Sequence, residues 1–521
     1  MRDVLVRALG LFPSDAGRRA AYVDTRARLE AGRDAPRTDR LVRALLRQAE
    51  SDLARRKDSG AAEALTKALT LIFHPARAAG AELPALLEDP AGVLRVLDEG
   101  AIGEVLGRRR GTSDPRPASV PDPAAGPTPV HDTDAAHHPG ERVPDHTPRV
   151  LVVTGGGLSF LQPVLDVWQA AGYEVRTLAM SDLPSAQRPT LRTVVGAAVT
   201  TWRTGKRAQV PPELAARLSG FDHLHVEWGD ETAAWFSHLE LPGHSLSVRI
   251  HKYEILTPYP QLLAASQVDT LCFVAPHVRD AALRIAPRLT RAHRIDVTQN
   301  ALDLNRFTGA VAAVDLPADL PAPEHVLGVV GWAGPAKDAE WAIDVLDELT
   351  RADDGPWTLV LVGPEPPVRG SDAQRATRLL ERVAAAGSRV RVLGRREDVP
   401  AVLPHLGWVI SASVIEGTHE AIAEGAAAGC VPIVRDWPQV RGYGGASTVY
   451  PASWLVQEPE QAARRILAAR SERQDLAREA TAWIRRDRDP GTLAKSQRAW
   501  IPGPYDHELR GAVPRPEGGT A

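Results

Sequence analysis

Glu416 and Glu424 stand eight positions apart in the segment Ser411-Ala412-Ser413-Val414-Ile415-Glu416-Gly417-Thr418-His419-Glu420-Ala421-Ile422-Ala423-Glu424, which runs on to Cys430-Val431-Pro432. A short apolar run precedes the first glutamate and a helical pattern follows it, so Glu416 falls at a strand-to-helix turn. A helix starting after Gly417 would offer its free N–H groups and positive end to an anion such as a diphosphate, with Glu424 about two turns further in. A glutamate pair at this spacing also occurs as plain solvated helix charge, so its surroundings must decide. Histidines form the second group of candidates: His223-Leu224-His225-Val226-Glu227-Trp228 and Val248-Arg249-Ile250-His251-Lys252-Tyr253-Glu254 each follow a strand-like run. A ring nitrogen at a strand end can hydrogen-bond ligand hydroxyls, and the neighbouring Arg249 and Lys252 are suited to a phosphate. His251 is the preferred residue of this group. His223 and His225 alternate along a strand, so at most His225 and Glu227 share a face with a ligand.

The elements that must position these residues follow from composition and period. Residues 1–110 are rich in Ala, Leu, Arg and Glu, with apolar spacings of three and four in Leu41-Val42-Ala44-Leu45-Leu46 and Ala64-Leu65-Ala68-Leu69-Leu71-Ile72, which predicts a helical bundle. Between 111 and 148, nine of 38 residues are proline and none is aromatic, so this stretch is expected to be a disordered linker. Its histidines, His131, His137, His138 and His146, are read as passive rather than as metal ligands. From Arg149 onward, short apolar runs alternate with helical stretches, the pattern of parallel α/β units. One unit spans 149–310 and begins with Val150-Leu151-Val152-Val153 and Gly155-Gly156-Gly157. A second spans 325–480, with strand-like runs at 326–330, 357–362, 390–393, 408–410 and 431–434. Residues 481–521 are expected to form a helix that crosses back, followed by a tail. Two Rossmann-like domains facing a cleft would bind ligands at the carboxyl ends of their strands.

Composition also excludes several classes of function. With 62 basic and 65 acidic residues the formal charge is −3, which argues against a nucleic-acid surface. Cys272 and Cys430 lie far apart in apolar sequence and read as reduced core thiols of a cytoplasmic protein. No apolar run reaches the roughly 18 to 20 residues that span a bilayer. The glycine cluster lacks the G-x-G-x-x-G spacing, and Arg176 and Thr177 stand where an acidic residue would hold a ribose, so no dinucleotide cofactor is expected.

Ser413 to Pro432 resembles the hallmark S-x-x-E-G-x-x-x-x-x-x-E-A-x-A-x-G-x-P-V of the retaining glycosyltransferases of family 4, with Gly425 in place of the usual alanine and Thr418-His419 in place of Phe-Gly. Val392-Leu393-Gly394 with Asp398-Val399-Pro400, and Thr298-Gln299-Asn300-Ala301-Leu302-Asp303-Leu304-Asn305-Arg306-Phe307, are similar to two further elements of that family. The resemblance covers about residues 149–480 and implies the GT-B fold. It implies that Glu424 holds the donor ribose and Glu416 the donor sugar, with the amides after Glu416, at Gly417 and Thr418, near the diphosphate. Gly331-Trp332-Ala333-Gly334-Pro335-Ala336-Lys337-Asp338 is similar to the family's G-R-x-x-x-x-K-G, whose basic pair neutralises the diphosphate of the leaving nucleotide. Lys337 is retained, and the chain has only six lysines against 56 arginines. Trp332 replaces the arginine, which leaves the clamp one cation short.

The expected activity is thus retaining transfer of a sugar from a nucleoside diphosphate sugar to an acceptor hydroxyl, with neither metal nor cofactor, in the synthesis of a cell-surface or secondary glycan. Glu416, His251 and Lys337 are the catalytic candidates. Gly331, Lys337, Glu416, Gly417, Thr418 and Glu424 are assigned to the donor, and Gly156, Gly157, Arg249, His251 and Lys252 to a glycan, lipid-linked or small-molecule acceptor. The alternative from another class is a non-catalytic GT-B-like scaffold that recruits a partner through its helical N-terminal region. A sugar phosphorylase or epimerase on the same shell is a further rival. Residues 1–110 are left to a protein partner, self-association or the inner face of a membrane.

Overall fold

The computed structural model describes residues 15–30, 37–74, 84–108, 149–155, 161–307, 314–488 and 490–501. The proline-rich segment 111–148, the glycines Gly156 and Gly157 and the tail after 501 lie outside the described residues.

The helical expectation for the N-terminal region holds where it is described. Helices Asp15–Glu30, Thr38–Ala54 and Asp58–Ile72 are followed by short turns of helix up to Val105. Leu41, Leu45, Ala49 and Leu53 recur at intervals of four and form one buried stripe on the second helix. That stripe meets Ala61, Leu65, Ala68, Leu69 and Ile72 of the third helix in a shared core. Each fully buried leucine there contributes about 1.5–3 kcal/mol. The bundle is not a free appendage. Arg203, in helix Leu191–Thr204 of the first α/β domain, pairs with Asp58 at 2.6 Å and donates to the Leu53 carbonyl at 2.8 Å. Arg108 donates to Gln261 and to the Ile285 carbonyl, and the Tyr443 hydroxyl of the second α/β domain donates to the Leu87 carbonyl at 2.8 Å. The bundle therefore touches both α/β domains.

The first sheet contains β1 (Arg149–Thr154), β2 (Glu174–Ala179), β3 (His223–Glu227), β4 (Ser245–Ile250), β5 (Thr270–Phe273) and β6 (Arg294–Val297), all parallel, in the order β2-β1-β3-β4-β5-β6. The second contains β7 (Val326–Val330), β8 (Thr358–Val362), β9 (Val390–Gly394), β10 (Trp408–Ser411), β11 (Val431–Arg435) and β12 (Leu455–Val456), in the order β12-β11-β10-β7-β8-β9. The second order is that of a dinucleotide-type doubly wound sheet, and the first has the flavodoxin-like reversal at β1 and β3. In both, the loops that leave the two strands at the reversal diverge and open a crevice at their carboxyl ends. In the second domain those strands are β7 and β10, whose following loops carry Gly331 to Lys337 and Ser413 to His419. The central strands of the second sheet read as continuous apolar runs because helices cover them on each face. β8 is buried along its whole length.

The helix after β10 lies so close to the sheet that a Cβ on Gly425 would stand 2.7 Å from Val409 Cγ1. That contact accounts for glycine where alanine is usual. Beyond β12, helices Pro459–Ala469 and Arg473–Asp487 lead to helix Pro490–Arg498, which lies against the first domain. There Trp500 is fully buried with Val150, Val152, Leu161, Val164, Trp168 and Cys272, and the Trp168 indole N–H donates to the Gln497 carbonyl. Both cysteines are buried free thiols, pushed up to about 12 by burial. Among the described residues no helix is long and apolar enough to cross a membrane.

Candidate functional site

The loop after β10 brings Glu416 to the meeting point of the two α/β domains. One carboxylate oxygen accepts from Lys337 Nζ at 2.6 Å and from the Ser413 hydroxyl at 2.7 Å. The other lies 3.5 Å from Lys252 Nζ, which comes from the first domain just beyond β4. The main-chain carbonyl of Glu416 accepts from His277 Nε2 at 2.8 Å, again from the first domain. Burial opposes ionisation of Glu416, but Lys252, His419 and Lys337 outweigh it and hold the carboxyl far below the ordinary range. His277 is pushed down to about 4 by burial, so near neutrality it is an uncharged imidazole whose Nε2–H serves that carbonyl.

Gly417 is closely approached by the first domain. A Cβ there would come within 3.1 Å of Val274 Cγ2 and 3.6 Å of Lys252 Cβ, so the first domain rests directly on the loop. The helix that follows is Glu420–Ala427, two residues later than the sequence suggested, with His419 in the left-handed region (φ 47°) at its N-cap. The delay has a physical cause. The first-turn acid Glu420 is held by Asn300 Nδ2 at 2.7 Å, by the Thr418 hydroxyl and by buried Arg488 at 3.4 Å, while Tyr450 donates to the Thr418 and His419 carbonyls. Thr418 and His419 thereby form a fixed loop, and the helix begins where those bonds end. His419 Nδ1 lies 2.6 Å from the Ser411 hydroxyl, and its Nε2 is buried without a partner among the described residues. Burial and Lys337 push this imidazole down to about 3.

Glu424 is not part of the Glu416 cluster. It lies further along the same helix, and no described side chain hydrogen-bonds to it. Burial and the neighbouring Glu420 carboxylate, opposed by Arg306, push its carboxyl up to about 7. Gly331 ends β7 with φ 75°, and its N–H donates to the Val362 carbonyl at 2.8 Å. Trp332 points away from the crevice: it is fully buried in the second domain, and its indole N–H donates to the Gly363 carbonyl at 3.1 Å.

On the first domain, His251 leaves the end of β4 and donates from Nε2 to the Glu227 carboxylate at 2.7 Å. Its ring stacks on Trp228 with centroids 4.0 Å apart, and Trp228 itself has a left-handed backbone (φ 86°). Strain of this kind at a non-glycine residue costs on the order of 1–3 kcal/mol and persists where surrounding contacts impose it. Burial outweighs Glu227 at His251 and pushes the imidazole below its ordinary value. Arg249 is not brought to the crevice, contrary to its assignment to an acceptor. It is fully buried, donates to Glu227 at 3.2 Å and to the Thr298 carbonyl at 3.0 Å, and lies over the Trp500 ring. It is an inward-facing residue of β4 that steadies Glu227, and through Glu227 it orients His251. His223 and His225 are likewise fully buried, joined through Ser245 and Ser247 into a hydrogen-bonded seam that ends at Glu227 and is covered by Trp168 and Trp500. Glu227 is a carboxylate despite its burial, because Arg249, His225 and His251 hold it well below its ordinary range.

The structure therefore gathers Lys337, Glu416, Gly417, Thr418 and Lys252 at one point, places His251 on the first domain's side, and sets Glu424 apart. His277, which holds the main chain of Glu416, was missed by sequence reasoning. It is a lone histidine in helix Pro276–Ile285, and nothing near it in the sequence marks it.

Residues 324–471 match the family described as Glycosyl transferases group 1. No curated protein matches the chain at the level of sequence similarity. Among solved structures, the chain is similar to a UDP-forming α,α-trehalose-phosphate synthase from Burkholderia xenovorans, 13% identical over 68% of this chain and 99% of that one, with a TM-score of 0.50. It is also similar to the sucrose-phosphate synthase of Thermosynechococcus elongatus, 17% identical over 70% of this chain and 100% of that one, again with a TM-score of 0.50. At these identities the likeness is one of fold. Lys337, Glu416 and Glu424 thus lie in the stretch that matches glycosyl transferases group 1, and this domain with the preceding α/β domain makes up a GT-B fold.

Proposed function

We propose that the protein is a retaining glycosyltransferase that moves a sugar from a nucleoside diphosphate sugar to an acceptor hydroxyl, without a metal ion. The observation that carries this reading is the joining of Lys337 and Glu416, at 2.6 Å, across the crevice opened by β7 and β10 inside the glycosyl transferases group 1 domain. In this reading the Lys337 ammonium neutralises the diphosphate as negative charge builds on the leaving nucleotide. Glu416, kept ionised, accepts hydroxyls of the donor sugar and orients it. The amides of Gly417 and Thr418 face the same charge, and Glu424 accepts the ribose hydroxyls. His251, neutral and oriented by Glu227, faces the sugar from the first domain. The C1–O bond to the diphosphate breaks while the acceptor oxygen approaches from the same face. The acceptor proton passes to the departing phosphate oxygen, and the anomeric configuration is kept. The acceptor belongs to glycan assembly, as a glycan, a lipid-linked sugar or a small molecule.

The test begins with thermal-shift measurements on UDP, GDP, ADP, dTDP and CDP and their common sugar conjugates. Ligand that binds only the folded chain raises stability by about 2.7 kcal/mol at one hundred times its Kd. One base is expected to raise Tm by several degrees in the wild type and not in Glu424→Ala. With that donor, the anomeric configuration of the product and the response to a chelator then test retention and metal independence. No shift with any nucleotide would overturn the reading.

A further inference from the structure

Trp332 leaves the expected pair of diphosphate cations one short, because its ring is packed into the core of the second domain and turns away from the crevice. The crevice nevertheless holds two cations. Lys337 comes from the second domain and Lys252 from the first, and both converge on Glu416. Their side chains are about a quarter exposed, at 27% and 25%. One carboxylate faces two ammonium groups, so the cluster has a net charge of +1 before any ligand enters.

The two lysines are not equivalent. Lys337 makes a close bond to Glu416, which the Ser413 hydroxyl supplements. Lys252 stands at 3.5 Å from the other oxygen, with the Ile415 carbonyl at 3.4 Å as its second neighbour. Charge-assisted bonds of this type close to about 2.7–2.9 Å when made in full. The Lys252 ammonium, with three protons and two long contacts, is therefore held beside the carboxylate without being saturated by it. Its backbone lies close to Gly417, where an added Cβ would stand 3.9 Å from the Lys252 nitrogen.

From this geometry we propose that Lys252 is the second arm of the diphosphate clamp, reaching across from the first domain to do what an arginine at position 332 would do from the second. Resting on the function proposed above, this moves Lys252 from the acceptor to the donor. Glu416 lies between the two ammonium groups, where the anion would be held. When a nucleoside diphosphate enters, Lys252 and Lys337 turn to its phosphate oxygens and Glu416 is released to accept sugar hydroxyls. The clamp then has one cation on each domain, so the diphosphate ties the two domains together and donor binding favours the closed crevice.

The experiment is calorimetric titration of the full chain with whichever of UDP, GDP, ADP, dTDP or CDP binds, and with the corresponding nucleoside, for wild type, Lys252→Met and Lys252→Arg. A bond to a charged group of this kind is worth about a tenfold or greater change in Kd. Lys252→Met is expected to weaken the diphosphate by about tenfold or more and the nucleoside by less than twofold, and Lys252→Arg to recover most of the loss. A diphosphate Kd unchanged within twofold in Lys252→Met, with the wild type binding normally, would overturn the clamp and leave the glycosyltransferase reading standing. Equal losses for diphosphate and nucleoside would also overturn it, since they would mark a structural role. Failure of the wild type to bind any of the five would remove the reading and the clamp together.

Discussion

On the function proposed above, in which Glu424 accepts the donor ribose hydroxyls, donor affinity depends on pH in a way the structure allows to be worked out. Burial and Glu420 push its carboxyl up to about 7 in the ligand-free protein. A ribose diol is held by the ionised carboxylate, which accepts both hydroxyls. The protonated form has lost one acceptor and brings a donor of its own. Binding therefore competes with protonation, and apparent affinity falls as pH drops through about 7. Between pH 8.5 and 5.5 the ionised fraction goes from nearly all to about 3%, which weakens the donor about 30-fold, or about 2 kcal/mol. A nucleotide sugar is the right probe, because its diphosphate stays fully ionised over this window. His251, His277 and His419 are all pushed below their ordinary value and stay neutral over most of it, while Asp230 (about 6) and Glu254 (about 8) titrate within it on the first domain. Glu424→Gln separates its contribution from theirs: the mutant binds more weakly at pH 8.5, and its affinity changes little with pH. Calorimetry at four pH values checks both curves. A wild-type Kd constant within twofold across the window, or a slope that survives in Glu424→Gln, would refute the reasoning.

Two further expectations concern the frame of the site. Arg488 is fully buried, donates to the Asn300 carbonyl at 3.0 Å and pairs with Glu420 at 3.4 Å. Arg488→Leu leaves the Glu420 carboxylate buried without its cation, so unfolding in urea should come about 3–5 kcal/mol easier, and an unchanged midpoint would contradict the pairing. Trp332→Arg supplies the arginine of the motif that this stretch resembles but puts a guanidinium into an apolar core. Tm should fall by several degrees or more and nucleotide Kd should not improve, whereas tighter binding would show that position 332 does reach the crevice.

Much of this arrangement was legible in the sequence, and the exceptions share a cause. The strand-like runs at 326–330, 408–410 and 431–434 stand within a residue of the strands observed, because a fully covered parallel strand leaves a continuous apolar run whatever it packs against. Glu416 and Lys337 were legible as separate signals, and the topology joined them. The start of the helix at Glu420 was not legible, since it depends on Asn300 and Arg488, which lie more than 60 residues away on either side. The inward turn of Arg249 was hidden for a similar reason. A charged residue at a strand end reads as a ligand contact until its partner, Glu227 on the next strand, is seen beside it. The place of Lys252 depends on how the two domains meet, which no local pattern encodes.

The burial of Trp500 bears on how the chain is made. The face of the first sheet that carries Val150 and Val152 is covered by Trp168 and by Trp500, and the second of these leaves the ribosome some 350 residues after β1. At about 5–20 residues per second the first α/β domain, once made through β6, waits on the order of 10–40 s, with that face and the His223–His225 seam partly uncovered, while the whole second domain is synthesised. The domain that is translated first is thus completed last. A chain cut short before residue 500 loses more than its tail, because the lid over the polar seam that aligns Glu227 and His251 goes with it.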